Sequence, residues 1–275
     1  MGTELATSEI AMLLLGLIGI SALAGVLAGL LGVGGGIVIV PALFWLFTIV
    51  DFDPHLAMHI AVASSLATII TTSISSSAAH YRRGAVDIHL IKRWSIGMAF
   101  GALAGGLGAQ YVEPSTLKAI FGIVAFAVAI NLATPKNLII ADSLPENKAI
   151  EISISVAIGL FSSLMGIGGG TLAVPTLTSF SYPIHRAIGT ASAFGLVISV
   201  PATIGFIVSG WEVSGRPPFS LGYVNVIAVA IILPFATFFA PYGARIAHRI
   251  NSVWVKRIFA AFLVITSVKM LASAL

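Results

Sequence analysis

Leu30 to Leu43 reads LLGVGGGIVIVPAL, and Leu164 to Leu177 reads LMGIGGGTLAVPTL. The two stretches lie 134 residues apart and agree at 8 of 14 positions. Each interrupts an apolar run with glycines, then sets a proline, Pro41 or Pro175, inside the run that follows. Glycine loosens a helix and proline removes an N–H donor, so both copies break a hydrophobic segment in the same way. Such a duplication implies two related halves. Paired broken segments in a hydrophobic chain are the mark of secondary transporters built from repeats.

The composition around the two copies is that of a membrane protein. Of 275 residues, 58% are hydrophobic and only 9% charged, with a mean hydropathy of +1.06. Soluble domains carry about 25% charged residues. The expected fold class is therefore an all-α integral membrane protein. No Lys or Arg precedes the first apolar run, which argues against a cleaved secretory signal. The chain has no cysteine, which excludes disulfides, thiolate catalysis, iron–sulfur clusters and Cys-based zinc sites. A net charge of +4 is no nucleic-acid signature in such a chain; where the charges fall matters more.

Apolar stretches run over residues 10–50, 60–79, 94–112, 116–133, 152–180, 187–209, 221–244 and 257–274. Six suit one crossing of about 20 residues each. The first and fifth are too long. Between Glu9 and Asp51 lie 41 uncharged residues, and between Glu151 and Arg186 lie 34. As helix these would measure about 62 and 51 Å, against a hydrocarbon core of about 30 Å. Each is expected to go in and come back, bending at its glycines. With two such hairpins, 11 of 14 basic residues share one side, including Arg82, Arg83, Lys92, Arg93, Arg186 and Arg245; Lys118, Arg216 and Lys269 stay on the other. With single crossings the split is 8 to 6. Basic residues collect in the cytoplasm, so the hairpin reading is preferred for the second stretch; nothing upstream of Arg82 is basic, so charge is silent on the first, where the acidic N-terminus with Glu4 and Glu9 fits an outside location. The hairpin reading puts both termini outside a multi-pass inner-membrane protein.

This reading gives two inverted-topology repeats of about five helical segments each, the first pair of each a glycine-broken hairpin. Residues 1–133 form the first repeat, 134–148 a cytoplasmic linker and 149–275 the second repeat. Further landmarks agree: Gly84-Ala85-Val86-Asp87 matches Gly222-Tyr223-Val224-Asn225, and Leu117-Lys118 matches Val255-Lys256.

The breaks are the first candidates for a substrate site. Gly34, Gly35, Gly36, Gly168, Gly169 and Gly170 allow a ligand close to the backbone. A helix restarting after each would aim unpaired N–H groups at it, a site for an anion without a buried cation. Pro41 and Pro175, read as hinges, free the carbonyls of Ile37 and Thr171. The alternative is that these glycines only let helices pack closely. Hydroxyls crowd the segment after the first break. Ser64 and Ser65, with Thr190 matching Ser64 at an offset of 126, suit an oxyanion because they donate without fixed charge; helix–helix bonding is the other reading. Arg82 and Arg83 read either as a positive-inside anchor or as an anion-attracting cytoplasmic vestibule. Asp51, Asp53, His55 and His59 are read as a solvated outer loop rather than a metal site. No acid or base falls clearly at mid-membrane, so proton coupling has no obvious carrier.

At these residues the chain resembles the TauE/SafE family of sulfite exporters. The resemblance is carried by the paired GxGGG-x4-P segments, by Ala187-Ile188-Gly189-Thr190 and by the HxRRGxVD stretch from His80 to Asp87. It departs at Ala63-Ser64-Ser65-Leu66, where a Gly-Thr-Ser-Leu run is expected. The resemblance implies export of small sulfur-containing anions such as sulfite, sulfoacetate or related sulfonates. A channel-like or uniport permease for another small anion is the alternative. No enzyme activity, cofactor, metal or nucleic acid is expected. The partners are a small anion and the lipid bilayer, with a homodimer left open.

Overall fold

The computed structural model describes residues 7–31, 35–49, 52–134, 139–247 and 252–274. Among these the chain is mostly helical, with ten helices. The first half holds α1 (Thr7–Leu31), α2 (Gly36–Ile49), α3 (Pro54–Tyr81), α4 (Ile88–Gly108) and α5 (Pro114–Ala133). The second holds α6 (Lys148–Leu164), α7 (Gly170–Ser179), α8 (Ile184–Ser209), α9 (Val226–Ala247) and α10 (Ser252–Ala272).

Helix starts follow local chemistry more closely than they follow the apolar runs. α3 begins at Pro54, ahead of its apolar stretch, because Asp53 Oδ1 accepts the His55 N–H at 2.9 Å and proline suits a first helical position. α6 begins at Lys148, where Asn147 Oδ1 accepts the Ala149 N–H. One element departs from the all-helical expectation. β1 (Ser220–Leu221) pairs antiparallel with β2 (Val224–Asn225), turning at Gly222 with φ +56°, where the apolar run suggested helix.

Four helices among the described residues are long and apolar enough to cross a membrane: α3, α5, α8 and α9. α2 and α7 have 14 and 10 residues. At about 1.5 Å per residue they measure about 21 and 15 Å, too short to cross alone. Large apolar side chains such as Ile96, Phe100, Ile123, Phe126, Ile204 and Phe238 are exposed, whereas Ser64, Ser65, Thr190 and Ser199 are enclosed. Apolar outside and hydroxyl inside suits a lipid surround.

The packing crosses between halves. α1 lies along α9, and α6 lies along α4; α3 crosses α8, and α5 packs on α10. Exchanging the halves turns the first pair into the second and each of the others into itself. The contacts repeat in detail. A Cβ on Gly25 of α1 would run into the Ala236 carbonyl of α9, and one on Gly159 of α6 into the Met98 carbonyl of α4. Gly25 matches Gly159 at the offset of 134, and Met98 matches Ala236 at 138, the offset of Gly84 and Gly222, so the same seam is used twice.

Candidate substrate site

The second break is built by a helix ending and a helix starting within five residues. At the end of α6 the Gly166 N–H bonds the Ser163 carbonyl at 3.1 Å and the Ile167 N–H bonds the Ser162 carbonyl at 3.0 Å. Gly166 has φ +67°. This is a Schellman ending, which needs a left-handed residue and so selects glycine. Gly168, Gly169 and Gly170 are all buried. α7 restarts on Gly169, whose carbonyl accepts the Ala173 N–H at 2.8 Å. Glycine has no side chain with which to cap a helix. Asp53, Asp87, Asn147 and Asn225 each supply a capping oxygen to α3, α4, α6 and α9. α5 and α8 also lack a side-chain cap, but they begin at exposed residues that water can serve. α7 begins buried, so its first-turn amides point into the protein without a side-chain partner.

The first break is similar but not identical. α2 restarts after Gly35, whose carbonyl accepts from the Val38 and Ile39 N–H groups at 3.0 and 3.1 Å. Here Gly35 itself is left-handed, at φ +78°; its counterpart Gly169 is at φ −54°. Gly34 lies outside the described residues. Pro41 and Pro175 sit inside α2 and α7.

The two breaks meet. A Cβ on Gly36 would run into the Gly166 carbonyl oxygen and would lie 3.0 Å from the Ile167 Cα and 2.8 Å from the Ile69 Cδ1. Ser65 Oγ donates to the same Gly166 carbonyl at 2.7 Å. Gly169 presses on Phe194 and Ile198 of α8. Of the sequence candidates, the structure thus gathers Gly36, Ser65 and the 166–170 loop around the α3–α8 crossing. Ile37 and Thr171 follow in the first turns of α2 and α7, both enclosed.

Ser64 and Thr190 are placed differently. Ser64 Oγ accepts the Asn225 N–H at 3.0 Å, and Thr190 Oγ1 accepts the Asp87 N–H at 2.9 Å. Each hydroxyl holds the residue that opens a helix in the other half. Asp87 Oδ1 caps α4 at Leu90, and Asn225 Oδ1 caps α9 at Ala228. The structure does not bring Ser64 and Thr190 to each other; they form two corresponding closures. Asp87 Oδ2 also accepts from Tyr182 Oη at 2.6 Å and from Arg186 Nη2 at 3.1 Å. Partial burial pulls the Asp87 carboxyl up, but the Tyr182 hydroxyl, the Leu90 amide and Arg186 together hold it below its ordinary value. Burial and the bond to Asp87 push the Tyr182 hydroxyl up to about 12. Sequence reasoning missed Asp87, Asn225, Tyr182 and Arg186 as site-forming residues. The matched GAVD and GYVN loops were the available signal.

Other candidates lie at the periphery. Arg82 and Arg83 are exposed at the end of α3. His59 corrects the expectation of a solvated outer loop: it is buried, with Nε2 3.0 Å from the Ala109 carbonyl and 3.1 Å from that of Val112. Its ring stacks on Tyr223 at 4.9 Å. Asp51 lies outside the described residues. Glu151, buried at the start of α6, is paired with Arg93 at 2.8 Å and accepts from Trp94 Nε1 at 2.7 Å. Lys118 and Lys269 sit over Phe44 and Trp45 at 5.3 and 5.1 Å. Both cations therefore gather at the C-terminal part of α2, the negative end of its dipole.

A family model described as sulfite exporter TauE/SafE matches residues 17–270. The chain belongs to the TauE/SafE family. Among its relatives in this family is a probable membrane transporter protein of Haemophilus influenzae, 34% identical over 254 residues, covering 91% of this chain and 95% of the relative. The probable membrane transporter protein YunE of Bacillus subtilis is 26% identical over 282 residues, covering 94% and 95%. A probable membrane transporter protein of Methanocaldococcus jannaschii is 26% identical and covers 88% of each chain. No solved structure matches. Family membership and the apolar helices make this TauE/SafE chain a multi-pass membrane protein.

Proposed function

We propose that this protein is a secondary transporter, in the exporting direction, for small sulfur-containing anions, with sulfite and sulfonates such as sulfoacetate as the class to test. It works by alternating access around its paired broken helices. The observation that carries this reading is the contact between the breaks. Gly36 and Gly166 touch although they come from different halves, and buried helix starts flank them. Backbone amides at such a place suit an anion without any buried cation. The exchanged packing of α1 with α9 and α6 with α4 supports inverted repeats, and the 11-to-3 split of basic residues supports an inner-membrane orientation with the C-terminus outside; inverted repeats then place the N-terminus outside as well. The closures at Asp87 and Asn225 would then be the two gates.

The test is a thermal-shift screen of the purified protein against sulfite, sulfoacetate, taurine, sulfate, simple carboxylates and phosphate. Stabilisation by a sulfur anion is expected. Flux of that anion into vesicles, with and without an imposed pH gradient, then separates coupled transport from uniport. A carboxylate or phosphate as the sole stabilising class would overturn the sulfur assignment.

A further inference from the structure

Helix hydroxyls in this chain have a near partner in the carbonyl one turn back. Ser95, Thr176, Thr178 and Thr266 all take it. Ser162, Thr171 and Ser199 do not. They are 0%, 2% and 0% exposed, and among the described residues their hydroxyls have no hydrogen-bond partner within the protein. Thr203, one turn beyond Ser199 on the same face of α8, shares this state. A buried hydroxyl left unpaired is costly, so its persistence calls for a reason.

All of these hydroxyls belong to the second half, and the first three flank its break. The Ser162 carbonyl accepts the Ile167 N–H within the Schellman turn. Thr171 lies in the first turn of α7, two residues after Gly169. Gly169 itself presses on Ile198, the neighbour of Ser199. In the first half, the positions matching Ser162 and Thr171 are Ala28 and Ile37, which have no hydroxyl. Ser199 matches Ser73 at the offset of 126, a serine that is also buried, so it is the two donors at the break itself that the first half lacks.

We infer that Ser162, Thr171 and Ser199, with the first-turn amides of α7, form the donor set that holds the substrate, and that the break of the first half, with Ala28 and Ile37 at the matching positions, adds no hydroxyl of its own to it. This rests on the reading that small anions cross at the breaks. Several neutral donors supplied by α6, α7 and α8 suit an oxyanion with three or more acceptor oxygens. An organic cation, which offers them no acceptor, would leave them unmatched.

The experiment compares Ser162→Ala, Thr171→Val and Ser199→Ala with the parent protein, purified in detergent, by thermal melts with and without sulfite, sulfate and sulfoacetate. Each variant removes an unpaired hydroxyl, so each should melt higher than the parent without anion. Each should also bind the stabilising anion about tenfold or more weakly, the size of one hydrogen bond to a charged group. Thr171→Ser keeps the hydroxyl and should keep the affinity. Thr178→Val, which loses a back-bonded hydroxyl, should leave affinity unchanged. If all three variants bind the anion as the parent does, the assignment is overturned whatever happens to stability, while the transport reading stands. A parent protein that none of the three anions stabilises overturns the sulfur-anion reading, and this inference with it.

Discussion

At the start of α4, Asp87 is held by the Thr190 hydroxyl, caps its own helix and collects Tyr182 and Arg186. At the start of α9, Asn225 is held by the Ser64 hydroxyl and caps its own helix. The backbones agree as well: Gly84 and Gly222 both turn the loop with positive φ, at +67° and +56°. The side chains do not agree. At an offset of 126, the positions matching Tyr182 and Arg186 are Leu56 and Ile60, both buried and apolar. That loop is instead backed by His59 stacked on Tyr223. Gly189 beside Thr190 becomes Ala63 beside Ser64. Duplication preserved the backbone geometry and left the electrostatics free to diverge. One closure centres on a carboxylate that gathers a phenol and a guanidinium; the other centres on a neutral amide, and its guanidinium, Arg216, donates to the Gly222 carbonyl at 3.4 Å instead.

Glycine 189 offers the largest test of this contrast. Its Cβ would run into the Ala85 carbonyl, a backbone atom with little room to yield. Gly189→Val should destabilise the protein by about 3 kcal/mol, at the upper end of overpacking costs. The matched change Ala63→Gly should cost only about 1 kcal/mol, the helix propensity difference. Equal effects in thermal melts would mean that the two loops approach their helices equally closely.

A smaller difference is expected at the capping residues. Asp87→Ala loses a cap and a bond from Tyr182 to a charged group, together about 2–4 kcal/mol. The Arg186 contribution is minor because that side chain is half exposed and screened. Asn225→Ala loses mainly its cap, at about 1–2 kcal/mol. Urea titrations in the same detergent would rank the two, and a larger loss at Asn225 would reverse the comparison.

The smallest effect is the pH dependence that a carboxylate adds to the first of these closures. Folding lowers the pKa of Asp87 from its ordinary 3.8, so the unfolded chain binds the proton more tightly. The stabilisation is complete above the ordinary value and is lost as pH falls through the lowered one. Melting temperatures between pH 6 and pH 3 should therefore fall more steeply in the parent protein than in Asp87→Asn. Parallel curves would remove the carboxylate from the account.

The order of ten helices could be read from apolar run lengths, because two runs were too long for one crossing and each carried a glycine break. The meeting of the breaks was also within reach, since related halves tend to share one axis. The roles of Ser64 and Thr190 were not. Their pairing with each other was visible at the offset of 126, and their hydroxyls suggested an oxyanion. Their partners are backbone N–H groups 161 and 103 residues away, and no local pattern encodes such contacts. His59 was misplaced for a related reason. Its neighbours Asp53 and His55 are polar, but the carbonyls it faces belong to the turn after α4. The unpaired state of Ser162 and Ser199 was equally hidden, because a serine in an apolar helix looks the same whether or not it bonds back.

The exchanged helix pairs also bear on how the chain is made. α1 leaves the ribosome well before its long partner α9, and α5 waits for α10. At about 10 residues per second, roughly 20 s separate the synthesis of α1 from that of α9. Throughout that interval the glycine seam around Gly25 has no helix of its own chain to close on. The insertion machinery or lipid must cover it, and these helix pairs close only when α9 and α10 have been delivered.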